Sequence, residues 1–299
     1  MLHDALDPST PVPHLLQTPD ESILALQAFV RQHPRIFVLT GAGVSTASGI
    51  PDYRDGNGAW KRPQPVTYQA FMEEAHTRQR YWARSLVGWR VMGHARPGAA
   101  HHALAALERQ GRVETLLTQN VDGLHDAAGS QRTIDLHGRI DTVRCMACEM
   151  RFRRADLQRT LLERNPAWAA LQARTAPDGD ADLDGLDFAS FDVPSCPFCA
   201  TGLLKPDVVF FGESVPRERV QAARDALQRS DAVLIAGSSL MVYSGFRFVQ
   251  AAADRGLPIA AVNQGRTRAD DLLALKVPGD VGAVLSSLVQ ALAGQPLAL

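Results

Sequence analysis

Four cysteines are the residues of this sequence whose type and spacing point most directly to chemistry. They form two C-x-x-C pairs, Cys145 with Cys148 in "CMAC" and Cys196 with Cys199 in "CPFC", and the 299-residue chain has no other cysteine. A C-x-x-C turn directs two thiolates at one point, and two such turns complete a tetrahedral four-sulfur site suited to zinc. Because sulfur would fill all four positions, we predict one structural Zn²⁺ ion.

Other uses of these cysteines remain open. One C-x-x-C pair alone could be a redox dithiol, and four cysteines could form two disulfides, although no secretion signal is recognisable. The arginines around the first pair (144, 151, 153 and 154) would also suit a zinc ribbon that reads nucleic acid. The stretch from Cys148 to Cys196 is longer than the roughly 15 to 20 residues usual between such pairs, which indicates an insertion inside the zinc module.

A glycine turn, "GAGVSTASGIPDYR" at 41–54, indicates nucleotide binding. Gly41 and Gly43 would let the backbone approach a pyrophosphate, whose charge would lie against the helix that follows. A hydride-transfer fingerprint requires a third small residue and then an acidic one about twenty residues later, but this chain has Thr46, Trp60 and Lys61 there. Dehydrogenase chemistry therefore fits poorly, and the loop at 49–54 would instead cover the nicotinamide end of the ligand.

Polar residues also follow other apolar runs. They are Gln119–Asp122, Gly237–Ser239 and Asn263, and His137 ends the run "TIDL". Each cluster alone could be an ordinary turn or helix cap. An imidazole titrates near neutral pH, so His137 is a candidate general base. In contrast, His101, His102 and His125 lie in helix-like sequence, where we expect packing or surface roles.

The elements that would position these residues alternate between strand and helix. A helical pattern from Glu21 to Arg31 leads into the run "RIFVLT" and the glycine turn; further runs are "VETLLTQN", "TIDLHG", "PDVVFFGE", "DAVLIAGSS" and "LPIAAVN", with helical stretches such as "GAAHHALAALERQ" between them. This alternation predicts an α/β fold with a Rossmann-like, doubly wound parallel sheet. Ligands bind beyond the carboxyl ends of such strands, where the polar clusters lie.

Two interruptions of the alternation predict a smaller lobe. Residues 55–97 have helical character, and residues 140–203 contain every cysteine and the acidic stretch "PDGDADLDGLD". The predicted division is an N-terminal extension at 1–21, a Rossmann-like domain made of 22–54, 98–139 and 204–299, a helical insertion at 55–97, and a zinc-binding module at 140–203.

Composition limits the kinds of partner. The formal net charge of −1 creates no field that would attract nucleic acid or anionic lipid, so we expect neither as a partner. No window holds 18 uninterrupted apolar residues, and the first thirty residues carry no Lys or Arg, unlike targeting peptides. We predict a cytoplasmic monomer.

In this order, the segments "GAGVSTASGIPDYR", "TQNVDGLH", "LHG", the paired C-x-x-C, "KPDVVFFGE", "GSSLMVYS" and "VN" resemble the sirtuin family. The resemblance runs from about residue 22 to the end of the chain. The segments "PDGDADLDGLD", "KPDVVFFG" and "YSGFRF" are further similar to the class II branch, which includes a mitochondrial animal member.

The resemblance implies an NAD-dependent protein-lysine deacetylase or deacylase. NAD would be a co-substrate: nicotinamide would leave, and the acyl group would pass from lysine to give O-acyl-ADP-ribose. His137 would act as base on the ribose hydroxyls, with Asn120 as the second catalytic residue. Asp122 would accept from the carboxamide, and Gln119 and Asn120 would hold the ribose and an ordered water. The cofactor-binding residues implied are Gly41, Ala42, Gly43, Ser45, Ile50, Asp52, Tyr53, Arg54, Trp60, Gln119, Asn120, Val121, Asp122, Gly237, Ser238, Ser239, Asn263, Gln264, Gly265 and Val281.

The resemblance also implies where an acyl-lysine substrate would lie. Val209, Phe211 and Gly212 would contact it. Sirtuins that prefer acidic acyl groups carry a Tyr-x-x-Arg pair in the helical insertion, where this chain has 85–88, "SLVG", with Arg84 one residue away. Acetyl or longer uncharged acyl groups are therefore favoured. The other readings are a protein mono-ADP-ribosyltransferase and a non-enzymatic, NAD-responsive binding module.

Overall fold

The structure is a computed structural model, and it describes residues 19–52, 55, 61, 66–171, 181, 183 and 185–293. Tyr53, Arg54 and Trp60, and most of the predicted N-terminal extension, lie outside the described residues. The described strands are β1 (Ile36–Thr40), β2 (Val113–Thr118), β3 (Thr133–Asp135), β4 (Gly138–Cys145), β5 (Arg151–Arg153), β6 (Leu204–Val208), β7 (Ala232–Ala236), β8 (Ile259–Val262) and β9 (Leu275–Val277). The described α-helices are α1 (Pro19–Gln32), α2 (Tyr68–Glu73), α3 (Ala75–Met92), α4 (Ala99–Arg109), α5 (Leu124–Ala127), α6 (Arg154–Arg164), α7 (Pro166–Ala169), α8 (Arg217–Arg229), α9 (Tyr243–Asp254) and α10 (Val281–Leu292).

Six strands form a parallel sheet in the order β3-β2-β1-β7-β8-β9. Five of them are predicted from apolar runs, and the prediction is confirmed for each; the edge strand β9 is not predicted. The chain leaves β1 toward β2 on one side and returns to β7 on the other. This reversal leaves a crevice beyond the carboxyl ends of β1 and β7, the usual place for a ligand in an open α/β sheet.

Alternation along β1 shows how the sheet is covered on both faces. Ile36 and Val38 belong to the core that includes residues of α1, α4 and α10. Phe37 and Leu39 point the other way, into the core formed with α8 and α9. All five residues of β1 are buried, and the first four are apolar. Such a sequence is expected for a strand at the centre of a parallel sheet, because helices cover both of its faces.

A second, antiparallel sheet has the order β5-β4-β6. We predicted the run "PDVVFFGE" for the parallel sheet, and this was wrong: its first residues end β6, which pairs with β4. The converging cysteine turns explain the pairing, because β4 ends at Cys145 and β6 begins opposite it at Leu204. An apolar run reveals a buried strand but not the direction of its neighbour.

The helical insertion and the cysteine-containing segment share one hydrophobic core. Phe71, Trp82 and Leu86 of α2 and α3 pack with residues such as Val143 and Leu161 of β4 and α6. The indole nitrogen of the fully buried Trp82 donates to the carbonyl of Leu204 (3.1 Å). Both segments are thus fixed to each other by apolar packing and by at least one buried hydrogen bond.

The segment after the glycine turn differs from the prediction. Instead of one α-helix, two single 3₁₀ turns follow, Ala42–Val44 and Thr46–Ser48. Gly49 then adopts a left-handed conformation (φ 83°), which ends the second turn.

None of the helices in the described part of the chain has both the length and the apolar composition of a membrane span.

Candidate active site

A cavity of about 700 Å³ lies beyond the carboxyl ends of β1, β2 and β7. Apart from the zinc ligands, every predicted site residue that the structure describes lines it, although these residues come from widely separated parts of the chain. They are Gly41, Ala42, Gly43, Ser45, Ile50, Asp52, Gln119, Asn120, Val121, Asp122, His137, Val209, Phe211, Gly212, Gly237, Ser238, Ser239, Asn263, Gln264, Gly265 and Val281.

The two glycine-containing loops at the cavity floor touch through their backbones. The amide of Gly43 donates to the carbonyl of Gly237 (2.9 Å), and a Cβ atom built on Gly43 would come within 2.9 Å of the Gly237 backbone. Gly237 itself has φ +60°, and its added Cβ would lie 2.6 Å from the amide nitrogen of Val44. Glycine is therefore required on both sides of this contact by the protein itself, independently of any ligand.

Ser45 is the centre of a polar network on one wall. Its hydroxyl donates to Oδ2 of Asp122 (2.7 Å) and accepts from Nδ2 of Asn120 (3.0 Å). The amide of Leu124 donates to the other carboxylate oxygen, Oδ1 (2.9 Å). The network fixes the orientation of both the Asp122 carboxylate and the Asn120 amide at the cavity surface.

His101 lies behind this wall and contacts Ser45. From the sequence we expect only a packing or surface role for this residue. It is fully buried, and its Nδ1 accepts from the amide of Gly98 (3.1 Å). The proton must then be on Nε2, which lies 3.3 Å from the Ser45 hydroxyl and donates to it. The predicted packing or surface role is confirmed for the three histidines in helix-like sequence, since His101 and His125 are buried and His102 is exposed.

His137 is held in one tautomer by two hydrogen bonds. Nδ1 lies 2.9 Å from the carbonyl oxygen of Gln119, which can only accept, so Nδ1 carries the proton. Nε2 therefore presents its lone pair, and it accepts from the hydroxyl of Ser244 at 2.7 Å. This is the tautomer that a general base facing a ligand hydroxyl requires.

The surroundings of His137 keep the imidazole neutral. Burial lowers the pKa of His137 to about 4, with the positive charges of Arg247 and Arg219 acting in the same direction and the Gln119 carbonyl opposing them. Gln119 is itself held by its side-chain amide, which donates to the Ser238 hydroxyl (2.8 Å). The base and the strand-end loops are thus parts of one connected structure.

Several cavity residues were not predicted from the sequence. Ser244 is the most important, and a signal for it existed, because it ends the family segment "GSSLMVYS". The cavity is also lined by Tyr81 and Met92 of α3 and by Ile140 of β4. No polar pattern marks these three positions, so only the packing of α3 and β4 beside the cavity reveals them.

The predicted substrate-contacting residues lie where β6 leaves the small sheet. The amide of Val209 donates to the carbonyl of His137 (2.8 Å), and the carbonyl of Phe211 accepts from the amide of Tyr68 (2.8 Å). The side-chain amide of Gln69 donates to the carbonyl of Gly212 (3.2 Å). These contacts connect this segment to the base on one side and to α2 on the other.

Residues 85–88 of α3 stand where some sirtuins carry the Tyr-x-x-Arg pair, and they are buried in the core shared by the helical insertion and the cysteine-containing segment. Ser85, Leu86, Val87 and Gly88 are all buried. Arg84 donates from Nε to the carbonyl of Ala181 (2.9 Å) and is absent from the cavity lining among the described residues. The structure therefore directs the Arg84 guanidinium to a backbone carbonyl.

The four cysteine sulfurs form a compact cluster. All four Sγ atoms lie within 4.8 Å of one another, with Cys145 to Cys199 at 3.7 Å and Cys148 to Cys196 at 3.8 Å. A zinc tetrahedron with Zn–S bonds of about 2.3 Å has sulfur–sulfur edges of about 3.8 Å. The donor set therefore fits one Zn²⁺ ion without an open position, which is the arrangement of a structural site.

Backbone amides point at these sulfurs, as expected for thiolate ligands. The donors are Ala147 and Cys148 to Cys145, Phe198 to Cys196, and Gly202 to Cys199, at 3.3 to 3.5 Å. Gly202 is closely packed against the cluster, because a Cβ atom there would overlap the sulfur of Cys145. Such second contacts orient metal ligands and partly neutralise their charge.

The arginines around the first cysteine pair are engaged within the chain. Arg144, Arg151 and Arg153 form ion pairs with Glu149 (2.6 Å), Asp207 (3.0 Å) and Asp156 (3.0 Å), respectively. Arg154 is buried, with its guanidinium 5.3 Å from the ring of Trp82 and 4.9 Å from that of Trp89.

The family profile described as the Sir2 family matches residues 41–244, the part of the chain that carries the cavity loops, His137 and the cysteines. This chain is a member of the Sir2 family. The sirtuin is 68% identical over 266 residues to an NAD-dependent protein deacetylase of Xanthomonas campestris pv. campestris, covering 89% of this chain and 90% of the relative. It is 64% identical over 265 residues to one of Bordetella bronchiseptica, covering 89% and 96%.

Solved structures show the same family. One is a Sir2 enzyme with a deacetylated peptide and 3′-O-acetyl ADP-ribose; it has a TM-score of 0.72 and 28% identity to this sirtuin over 90% of this chain and 98% of that one. Another is a Sir2 homologue in complex with NAD, with a TM-score of 0.69, 29% identity, and coverage of 90% and 93%.

Proposed function

We propose that this sirtuin is an NAD-dependent protein-lysine deacetylase, which also accepts longer uncharged acyl groups. The observation that carries the proposal is the position of His137, whose Nε2 lone pair faces the same cavity as the loops after β1, β2 and β7. The curated relatives described above are named as NAD-dependent protein deacetylases. Their high identity and nearly complete coverage support the same activity here.

NAD is the co-substrate, and it supplies a ribose whose bond to nicotinamide breaks when the acyl oxygen attacks. We assign its binding to the cavity residues Gly41, Ala42, Gly43, Ser45 and Ile50, to Gln119–Asp122 and Gly237–Ser239, and to 263–265 and Val281. Asp52, which lines the cavity, is also assigned to NAD binding. Tyr53, Arg54 and Trp60 stay predictions as further contacts.

His137 is proposed as the general base on the ribose hydroxyls. Because its Nδ1 donates to the Gln119 carbonyl, only Nε2 can take a proton. Ser244 donates to that lone pair, so a ribose hydroxyl must replace the serine or share the nitrogen with it. Asn120 holds its amide on the same wall through Ser45 and the Gly41 carbonyl (3.1 Å) and would orient the ribose.

The acyl-lysine is proposed to enter beside Val209, Phe211 and Gly212, which line the cavity next to His137. Without an arginine from the α3 segment in the described lining, acetyl is favoured over an acidic acyl group. The small lobe would be held together by the zinc ion, which would supply folding energy and no chemistry. The cytoplasmic, monomeric state stays a prediction, which fractionation and sedimentation would test.

Nicotinamide release from NAD tests the proposal, measured with matched lysine peptides carrying acetyl, butyryl, lipoyl and succinyl groups. Peptide-dependent release with O-acyl-ADP-ribose as product is expected, with acetyl favoured over succinyl. His137→Ala should lower kcat by roughly 10² to 10⁴-fold, and His102→Ala, on the exposed side of α4, is the matched control. ADP-ribose mass on the peptide or on the protein would instead indicate mono-ADP-ribosyl transfer.

A further inference from the structure

A second cavity of about 570 Å³ opens beside the active site and is lined by three arginines. Arg217 and Arg224 come from α8, and Arg247 comes from α9. The two cavities share the residues Glu213, Val215, Tyr243 and Ser244. The two cavities are therefore direct neighbours, with these four residues between them.

The charge of this arginine pocket is not balanced by the protein. Among the described residues, no carboxylate lies within ion-pair distance of any of the three guanidinium groups, although the chain has many such pairs elsewhere. Glu213, the acidic residue of the lining, is already paired with the buried Lys205 (2.9 Å) and accepts from the amide of Phe210 (2.8 Å). The pocket thus presents positive charge to whatever enters it.

Arg247 is the inner arginine, and part of its guanidinium lacks a partner. Its Nε donates to the carbonyl of Ser244 (3.1 Å), while its buried Nη2 has no hydrogen-bond partner among the described residues. Burial, followed by the neighbouring charge of Arg224, lowers the pKa of Arg247. A buried guanidinium nitrogen without an acceptor is costly, and a carboxylate is the group that matches it best.

We propose that the arginine pocket binds an acidic side chain of the protein substrate, close in sequence to the acyl-lysine. This inference rests on the proposed function, because it takes the peptide to lie along Val209, Phe211 and Gly212. The chain runs directly from Gly212 through Glu213 and Ser214 into the pocket lining. An aspartate or glutamate one to three residues from the acyl-lysine can therefore reach the guanidinium groups.

The position of Ser244 indicates that the carboxylate in the arginine pocket comes from a substrate side chain and not from an acidic acyl group on the lysine. The Ser244 hydroxyl contacts His137, and its carbonyl contacts Arg247. The acyl group must react on the His137 side of this residue, whereas the guanidinium of Arg247 lies on the other. Peptide residues outside the reaction centre are the part of the substrate that can reach it.

Acetyl-lysine peptides with aspartate or glutamate at each neighbouring position, compared with the same peptides carrying asparagine or glutamine, test the proposal. We expect kcat/KM to be on the order of tenfold higher for the best acidic peptide than for its amide match, mainly through KM, and this ratio should decrease with salt. In Arg224→Gln and Arg247→Gln the ratio should fall toward one. Arg109→Gln, an exposed arginine on α4, should keep it.

Each other outcome overturns the proposal. A ratio of one in the wild type would show that no acidic residue is recognised, and a ratio that survives both substitutions would place the recognition elsewhere. Succinyl-lysine peptides with amide neighbours form a second arm; if only these depend on the arginines, the pocket serves the acyl group. Calorimetry of the same acetyl peptides with the wild type and the variants gives the corresponding ratio of dissociation constants without turnover. A protein that prefers the acidic peptides in binding but does not deacetylate them would contradict the proposed function and not this proposal.

Discussion

The hydroxyl oxygen of Ser244 lies 2.7 Å from Nε2 of His137, on the nitrogen whose lone pair a base must use. The other nitrogen donates to the Gln119 carbonyl, so the ring cannot present its lone pair in any other direction without breaking that bond. The two hydrogen bonds together fix the orientation of the base and supply a donor to its lone pair.

The pH dependence of the reaction should reflect the burial of His137. With the pKa of His137 lowered to about 4 by burial, the neutral base is the main form at every pH above that value. We expect kcat/KM to lose its His137-dependent activity only as the pH falls through about 4, instead of near 6.5. A stopped assay of nicotinamide release from pH 3 to 8, with circular dichroism to follow folding, measures this limb.

Ser244→Ala removes the donor to the neutral imidazole but leaves the Gln119 contact. A hydrogen bond to the neutral form lowers a histidine pKa, so its loss should move the acid limb of kcat/KM upward. Tyr243→Phe, the exposed neighbour, should not move it. An acid limb at the same pH in Ser244→Ala would show that the serine does not influence the base.

Ser45→Ala should affect both NAD binding and stability. It removes the acceptor of two buried or half-buried donors, Nε2 of His101 and Nδ2 of Asn120, and the donor to Asp122. We expect a loss of about 2 to 4 kcal/mol in the free energy of unfolding and a higher KM for NAD. Urea unfolding and steady-state kinetics measure the two effects.

Thr46→Ala is the control for the stability effect of Ser45→Ala, because the Thr46 hydroxyl makes an exposed bond to the Gly43 carbonyl (3.2 Å). Its unfolding free energy should stay within about 0.5 kcal/mol of the wild type. Equal losses in the two variants would mean that the network around Ser45 contributes nothing particular.

The cysteine cluster should hold one zinc ion per chain, and Gly202 should influence its affinity. Gly202→Ala keeps all four ligands but places a methyl group against the Cys145 sulfur, so zinc should be released to a chelator at a lower concentration. Thr201→Ala, next to it and exposed, should behave as the wild type. Metal content by mass spectrometry and chelator titration with a coloured zinc indicator decide between them.

Buried histidines should make the protein less stable in acid. Burial lowers the pKa of His101, and burial together with the charge of His101 lowers that of His125 to about 3. The unfolded chain therefore takes up these protons first, and stability that is complete above pH 6.5 is lost as the pH falls toward the folded pKa values. The slope is up to about 1.4 kcal/mol per pH unit for each histidine.

His125→Gln tests this dependence. His125 contacts the Thr40 hydroxyl (3.0 Å) and the ring of His101 (centroids 4.8 Å apart), and glutamine cannot be protonated. Urea unfolding at pH 7.5 and 5.5 should show a smaller loss in the variant than in the wild type, whereas the exposed His102→Gln should keep the full loss. An unchanged slope in His125→Gln would locate the acid sensitivity elsewhere.

The sequence alone determined the properties that depend on local pattern. Alternating apolar and polar runs located five strands of the parallel sheet, and the identical spacing of the two cysteine pairs located the metal ligands. The family motifs located the residues of the main cavity, because a ligand needs particular side chains immediately after particular strands. Each of these features is encoded within a few consecutive residues, and that is why it could be read.

Only the tertiary structure decided which distant residues meet. The direction of β6, the 3₁₀ turns after Gly41 and the support of Ser45 by His101 depend on neighbours far along the chain. The contact of Ser244 with His137 and the unpaired charge of Arg247 likewise depend on where α9 lies, beside the segment that follows β3 and beside α8. Burial, pKa and hydrogen-bond partners are properties of the space around a residue, and the sequence specifies that space only through the completed fold.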